Sequence, residues 1–176
     1  MSRRMSLTND DVRKLSAKIC YFVTHTEEYV DADVVLLYSQ FRNEPDLTIL
    51  KQISITDRKT VAYPISDSKN INLHFHTVND STDMREGAYG IMEPCTNAPE
   101  VCLSEKSLCV VPAIAIDKEG YRLGYGKGYY DKFLNSYKGK YLCTVYDDFI
   151  CDFLPRFDTD IRIKTIVTDT GVVRIK

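Results

Sequence analysis

The residues of this chain best suited to chemistry lie in one stretch, the ten residues RLGYGKGYYD from Arg122 to Asp131. Glycines alternate at Gly124, Gly126 and Gly128. Without a Cβ the backbone takes positive φ and lets a ligand approach, and successive bare N–H groups form an anion-binding concavity. Lys127 and Arg122 add full positive charge, and Asp131 is a hard oxygen ligand at the end of the stretch. The ligand that suits this set is a polyphosphate carrying Mg²⁺. The spacing is neither a Walker A loop nor a dinucleotide-binding fingerprint. On spacing alone, a phosphate loop and a plain glycine-rich turn between strand and helix stay equally open.

The flanking pattern says what must position that stretch. Thr8 or Asn9 can cap a helix whose first turn carries Asp10 and Asp11. Val12, Leu15, Ile19, Phe22 and Val23 follow at helical spacing. Val34 to Tyr38 is short, β-branched and uninterrupted, as in a strand buried on both faces. Pro45 and Asp46 open a helix through Leu47, Leu50 and Ile53, and Thr60 to Tyr63 reads as a strand stopped by Pro64. Ile71, Leu73 and Phe75 alternate with polar residues, which predicts a half-buried strand with His74 and His76 on its polar face. Residues 78 to 106 read as irregular. Leu108 to Val111 is a second buried strand, followed by a small apolar stretch from Pro112 to Ile116. Tyr129, Tyr130, Phe133, Leu134 and Tyr137 recur at helical spacing, and Leu142 to Tyr146 and Ile163 to Val167 complete the strand set.

Short buried strands alternating with helices predict an α/β chain, a three-layer doubly wound fold with a mostly parallel central sheet. Ligands of such sheets bind outside the carboxyl ends of the strands. The glycine stretch follows one strand and precedes a helix, and that placement favours the phosphate loop over the plain turn.

Composition narrows the classes. The 176 residues suit a single domain, 1–176, and a net charge of −2 implies no basic face for a nucleic acid. No apolar run reaches membrane-spanning length, and the N-terminus lacks the apolar stretch of a signal peptide. Cys20, Cys95, Cys102, Cys109, Cys143 and Cys151 form no C-x-x-C pair, and three of them sit in apolar periodic segments, so a reduced, cytoplasmic protein is expected. The three histidines make a poor zinc set.

The run VVPAIAIDKEGYRLGYGKGYYDKFL, residues 110 to 134, resembles the 5-formyltetrahydrofolate cyclo-ligase family, whose pattern is roughly V-P-G-x-x-F-D-x-x-G-x-R-L-G-x-G-x-G-Y-Y-D. Pro112, Asp117, Gly120, Arg122, Leu123, Gly124, Gly126, Gly128, Tyr129, Tyr130 and Asp131 match it. Gly87, Tyr89, Gly90, Ile91, Glu93 and Pro94 resemble its G-x-x-G-I-x-E-P segment, and Tyr38 followed by Glu44 resembles its strand-to-glutamate element. Leu154, Pro155, Asp158 and the run from Ile166 to Asp169 resemble its C-terminal segment, so the likeness covers nearly the whole chain.

The resemblance implies ATP- and Mg²⁺-dependent conversion of 5-formyltetrahydrofolate to 5,10-methenyltetrahydrofolate. In that chemistry ATP phosphorylates the formyl oxygen, N10 attacks the activated carbon, the ring closes and phosphate leaves. By the same likeness Arg122, Leu123, Gly124, Tyr125, Gly126, Lys127, Gly128, Tyr129 and Tyr130 cradle ATP, with Lys127, Arg122 and Tyr129 nearest the chemistry. Ser39, Glu44 and the residues Tyr125, Gly126, Lys127, Gly128 and Tyr129 border the folate, Glu44 meeting the paired donors of the pterin ring. Asp131 and Asp158 fall at magnesium positions, whereas Asp117 reads as structural.

Four departures stand out. Ala113 and Ile116 replace a glycine and an aromatic, Phe157 stands where histidine is frequent, and Tyr125 stands where arginine is common. The lysine and arginine of the family's opening helix have no counterpart ahead of Arg3 and Arg4, so three readings stay open: a start codon further upstream, a shortened sequence, or weakened ATP binding. Two alternatives therefore remain, a non-catalytic folate-binding or regulatory relative and a different enzyme on a similar layered fold. A monomer acting on a small molecule is the default.

Overall fold

The computed structural model describes residues 2–79, 84–87, 90–95 and 97–176. Tyr89 of the second matched segment lies outside them. In chain order the elements begin with α1 (Ser2–Met5), α2 (Asn9–Thr24), α3 (Glu27–Val30), β1 (Val34–Leu36), α4 (Thr48–Thr56), β2 (Thr60–Asp67) and β3 (Asn72–Thr77). They continue with β4 (Met84–Glu86), β5 (Met92–Pro94), β6 (Ser107–Pro112), β7 (Ala115–Asp117), β8 (Arg122–Leu123) and α5 (Tyr129–Ser136). The last are β9 (Lys140–Thr144), β10 (Ile150–Cys151), β11 (Thr165–Val167) and β12 (Val172–Arg174). No helix of the described residues is long and apolar enough to cross a membrane.

Seven strands form the central sheet in the order β12-β11-β9-β6-β1-β2-β3. Its five inner strands run parallel, and the outer pairs β2–β3 and β11–β12 are antiparallel. The uninterrupted apolar runs follow from this placement, because β1 and β6 are covered on both faces. Along β6, Leu108 and Val110 face a core shared with Ile19, Cys20 and Val23 of α2 and Leu50 of α4. Cys109 and Val111 face the opposite core, with Phe133 and Leu134 of α5 and Phe75 of β3. The chain is thus the three-layer, mostly parallel α/β fold that its patterning predicts. All six cysteines are free thiols, and Cys20, Cys109 and Cys143 are buried.

Local signals set most boundaries. Thr8 caps α2 in a reciprocal box, accepting from the Asp11 N–H while the Asp11 carboxylate accepts from Thr8. The helix expected from Pro45 begins at Thr48, where the Asp46 carboxylate takes the Thr48 N–H and hydroxyl. Pro64 does not stop β2, which runs on to Asp67. The pairing with β1 ends at Ala62, so Pro64 lies where only β3 is a partner and a missing N–H costs little. Ile71 is not a strand residue; it is exposed, at φ 50° in the turn before β3. The segment read as irregular contains the small β4–β5 ribbon.

Between β6 and α5 the chain forms β7 and β8, which β10 joins from beyond β9 in a side sheet of order β10-β7-β8, rather than a simple loop. Asp117 organises it. Fully buried, its carboxylate accepts the N–H groups of Glu119, Tyr121 and Leu154 at 2.9–3.1 Å. Gly120 closes the same turn at φ 92°, and its N–H and C=O bond Asp117 and Ile163. A Cβ there would overlap the Ile163 carbonyl. Asp117→Ala should leave three part-buried donors without their buried acceptor and cost about 2–4 kcal/mol in a chemical denaturation curve. A loss below about 0.5 kcal/mol would contradict this role.

Candidate active site

Parallel strands β1, β6, β9 and β11 all release their chains at one edge, and the expected site residues gather there. After β1 the chain stays extended to Tyr38, whose buried hydroxyl bonds the Pro45 carbonyl and Thr144. Arg42 and Asn43 then take left-handed conformations, φ 49° and 56°, in a tight turn from Phe41 to Glu44. Such strain in non-glycine residues persists only where surroundings enforce it. Here Asn43 donates to the carbonyls of Arg4 and Leu7, and Gln40 donates to the Glu44 carbonyl. The turn puts Glu44 at 3 % exposure, accepting the Phe41 N–H at 3.2 Å. Ser39 is half-buried and donates its hydroxyl to the Met92 carbonyl of β5 at 2.5 Å.

Burial pushes the Glu44 carboxyl up to about 7, against the pull of the Arg4 guanidinium, the Phe41 N–H and a hydrogen bond from Tyr125. Arg4 is itself 2 % exposed. It donates to the Arg42 carbonyl at 3.0 Å, the Ala113 carbonyl at 3.1 Å and the Tyr125 hydroxyl at 2.6 Å, and lies 4.0 Å from the Glu44 carboxylate. The patterning gave no warning of this buried cation. Its partners lie 38 to 121 residues away, and nothing in a polar N-terminal turn announces them. Phe41, edge-on to Tyr125 at 5.4 Å, and Arg42 over both rings were missed for the same reason.

The glycine loop runs from Gly124 to Gly128 between β8 and α5, exposed throughout. Gly126 and Gly128 hold φ 80° and 70°. Gly128 is the N-cap of α5 and offers no capping side chain to its first N–H groups. A Cβ at Gly124, Gly126 or Gly128 would meet nothing within 4 Å, so nothing in the protein's own packing crowds these positions. Lys127 is exposed on the loop. The donor set of open amides, a helix N-terminus and a lysine fits a phosphate chain. Tyr129 and Tyr130 are half-buried against the α5 core.

Arg122 and Asp131 form one unit. Their side chains meet at 3.0 Å with Arg122 only 5 % exposed. The second Asp131 oxygen accepts the Ile161 N–H at 3.0 Å, and Arg122 also reaches the Ile161 carbonyl at 3.4 Å. Asp131 is thereby fastened to the segment that carries Asp158, which is exposed in a turn closed by Asp160 on the Phe157 N–H. No group of three or more metal-ligating side chains occurs among the described residues. A magnesium ion held chiefly by nucleotide oxygens needs only one or two carboxylates, and Asp131 and Asp158 are the two that the sequence motif offers for it.

Residues 1–169 match the model of the 5-formyltetrahydrofolate cyclo-ligase family. The chain belongs to that family. It is 28 % identical over 160 residues to 5-formyltetrahydrofolate cyclo-ligase of Haemophilus influenzae, covering 89 % of this chain and 85 % of the relative. To the Escherichia coli protein of the same name it is 25 % identical over 178 residues, with 97 % and 96 % covered. The NMR structure of Aquifex aeolicus 5,10-methenyltetrahydrofolate synthetase matches with a TM-score of 0.84 and 31 % identity, over 99 % of this chain and 88 % of that one. The cyclo-ligase family is one of enzymes, and a folate is the substrate it implies.

Glu44 generates a stability prediction. Its folded pKa of about 7 lies above the ordinary 4.5, so its contribution is present at low pH and is lost as pH rises through about 7. Glu44→Gln should abolish that fall, gaining up to about 3 kcal/mol over the wild type at pH 8 relative to pH 4. Parallel pH profiles of melting temperature for the two proteins would refute it.

Proposed function

We propose that this protein catalyses ATP- and Mg²⁺-dependent cyclisation of 5-formyltetrahydrofolate to 5,10-methenyltetrahydrofolate, with release of ADP and inorganic phosphate. One observation carries the reading. Tyr125, a residue of the glycine loop, touches both Arg4 and the Glu44 carboxylate, so the phosphate-type loop and the buried acceptor are direct neighbours. A reaction that joins a phosphoryl group to a folate oxygen requires that adjacency.

The formamide is a poor electrophile, and MgATP when bound supplies the phosphoryl group that makes its oxygen a leaving group. The rest is the chain's own work. The amides of Gly124 to Gly128 and the N-terminus of α5 hold phosphate oxygens, and Lys127 neutralises the charge that moves between them. Arg122, buried against Asp131, holds that carboxylate toward a metal rather than meeting the nucleotide itself. Asp158 is the second carboxylate available to the ion. Glu44 accepts the paired N–H donors of the pterin ring, which replace the Tyr125 hydroxyl. The glycines on either side of Tyr125 let it swing aside, because nothing packs against them. Ser39 and Tyr129 border the same space. No protein nucleophile is called for.

Arg4 and Arg122 are both committed to protein partners. That leaves Lys127 as the cation of the loop and favours, as second reading, a folate binder with weak ATP affinity.

Mixing the protein with 5-formyltetrahydrofolate and MgATP should raise the methenyl absorbance band. Lys127→Ala should lower kcat/KM about a hundredfold, the cost of removing one charge-stabilising donor. A flat trace from folded protein that still binds the folate would establish the second reading.

A further inference from the structure

We propose that Arg4 is a positioning residue of the folate subsite: its guanidinium clamps the turns after β1 and β6 together and, through Tyr125, ties the Glu44 carboxylate to the glycine loop. The proposal rests on Glu44 being the folate acceptor and goes beyond it by assigning what holds that acceptor.

The geometry is that of a clamp. A guanidinium carries its donors in a rigid fork. Those of Arg4 are spent on the Arg42 carbonyl in the turn before Glu44, the Ala113 carbonyl after β6 and the Tyr125 hydroxyl between two glycines. Its own carbonyl accepts from Asn43, which steadies the left-handed turn from the other side. One side chain from α1 therefore joins three segments far apart in the chain. At 2 % exposure it has no surface left to offer a nucleotide phosphate, so it does not stand in for the cations of the family's opening helix.

The charge is needed as much as the fork. The other ionisable groups facing Glu44 are Tyr38 beyond β1, Tyr125 on the loop, Tyr130 of α5 and Cys143 of β9. Burial pushes each of these four upward, so all are neutral near pH 7. Arg42 sits further out, over the face of the Tyr125 ring. Arg4 is the cation that opposes desolvation of the carboxylate. Without it Glu44 holds its proton to higher pH and cannot accept the pterin donors.

The test follows the Glu44 carboxyl by ¹³C NMR, assigned by its loss in Glu44→Gln, alongside the KM for 5-formyltetrahydrofolate and for ATP from pH 6 to 9. In Arg4→Gln the carboxyl midpoint should rise by roughly one unit or more. The folate KM at pH 7.5 should rise about tenfold and recover toward pH 9, while the ATP KM changes less than about twofold. Arg4→Lys restores charge and should return most of the midpoint. Tyr125→Phe leaves the two carbonyl contacts of Arg4 intact and should move the midpoint upward by less, which keeps the test alive if Arg4→Gln does not fold. An unmoved midpoint in the folded variants overturns the proposal and leaves the reading of Glu44 untouched. A shifted midpoint with unchanged folate KM overturns both. A rise in ATP KM alone would make Arg4 a nucleotide residue and overturn the proposal.

Discussion

A parallel sheet covered on both faces can release its chain only at its edges, and in this protein that constraint builds the site. The apolar runs of β1, β6 and β9 serve two cores at once, one under α2 and α4 and one under α5. Strands so placed have no free face, so polar chemistry is expelled to the carboxyl edge. Residues 44 and 113 meet there because β1 and β6 run in one direction, and Arg4 from α1 and Tyr125 from the loop after β8 join them at that edge. The antiparallel strands β3 and β12 close the sheet's outer edges and carry none of the site residues.

That edge combines two electrostatic environments. Around Glu44 the protein is dry, and a carboxylate sits at the limit of ionisation beside one guanidinium. A few residues away the glycine loop is open to water, with unfilled space over every glycine. The dry half suits a flat, donor-rich ring that must be oriented, and the wet half suits a hydrated phosphate chain that arrives with its own cation. Tyr125 is the hinge between the halves, half-exposed on one side and hydrogen-bonded into the buried cluster on the other.

Patterning exposed the frame because its signals are local. The Thr8 capping box, the doubly buried strand from Val34 and the alternation at Leu73 and Phe75 each concern residues a few positions apart. Pro64 misled because its effect depends on where a neighbouring strand stops, and Ile71 because a turn interrupted a good alternation. The glycine loop was legible through a long motif, and Glu44 only through the short element that begins at Tyr38. Arg4 was not, since its role exists only once the sheet has brought three loops together. The side sheet from β7, β8 and β10 escaped notice because its strands are only two or three residues long.

The central claim is that the two halves of this edge cooperate in moving the formyl oxygen onto phosphate. The direct measurement uses 5-formyltetrahydrofolate labelled with ¹⁸O in the formyl group, turned over with MgATP in unlabelled water, with the phosphate analysed by mass spectrometry or ³¹P NMR. One labelled oxygen should appear in each inorganic phosphate released. Unlabelled phosphate formed alongside the methenyl product would contradict the account, because ATP would then be hydrolysed without activating the oxygen that leaves.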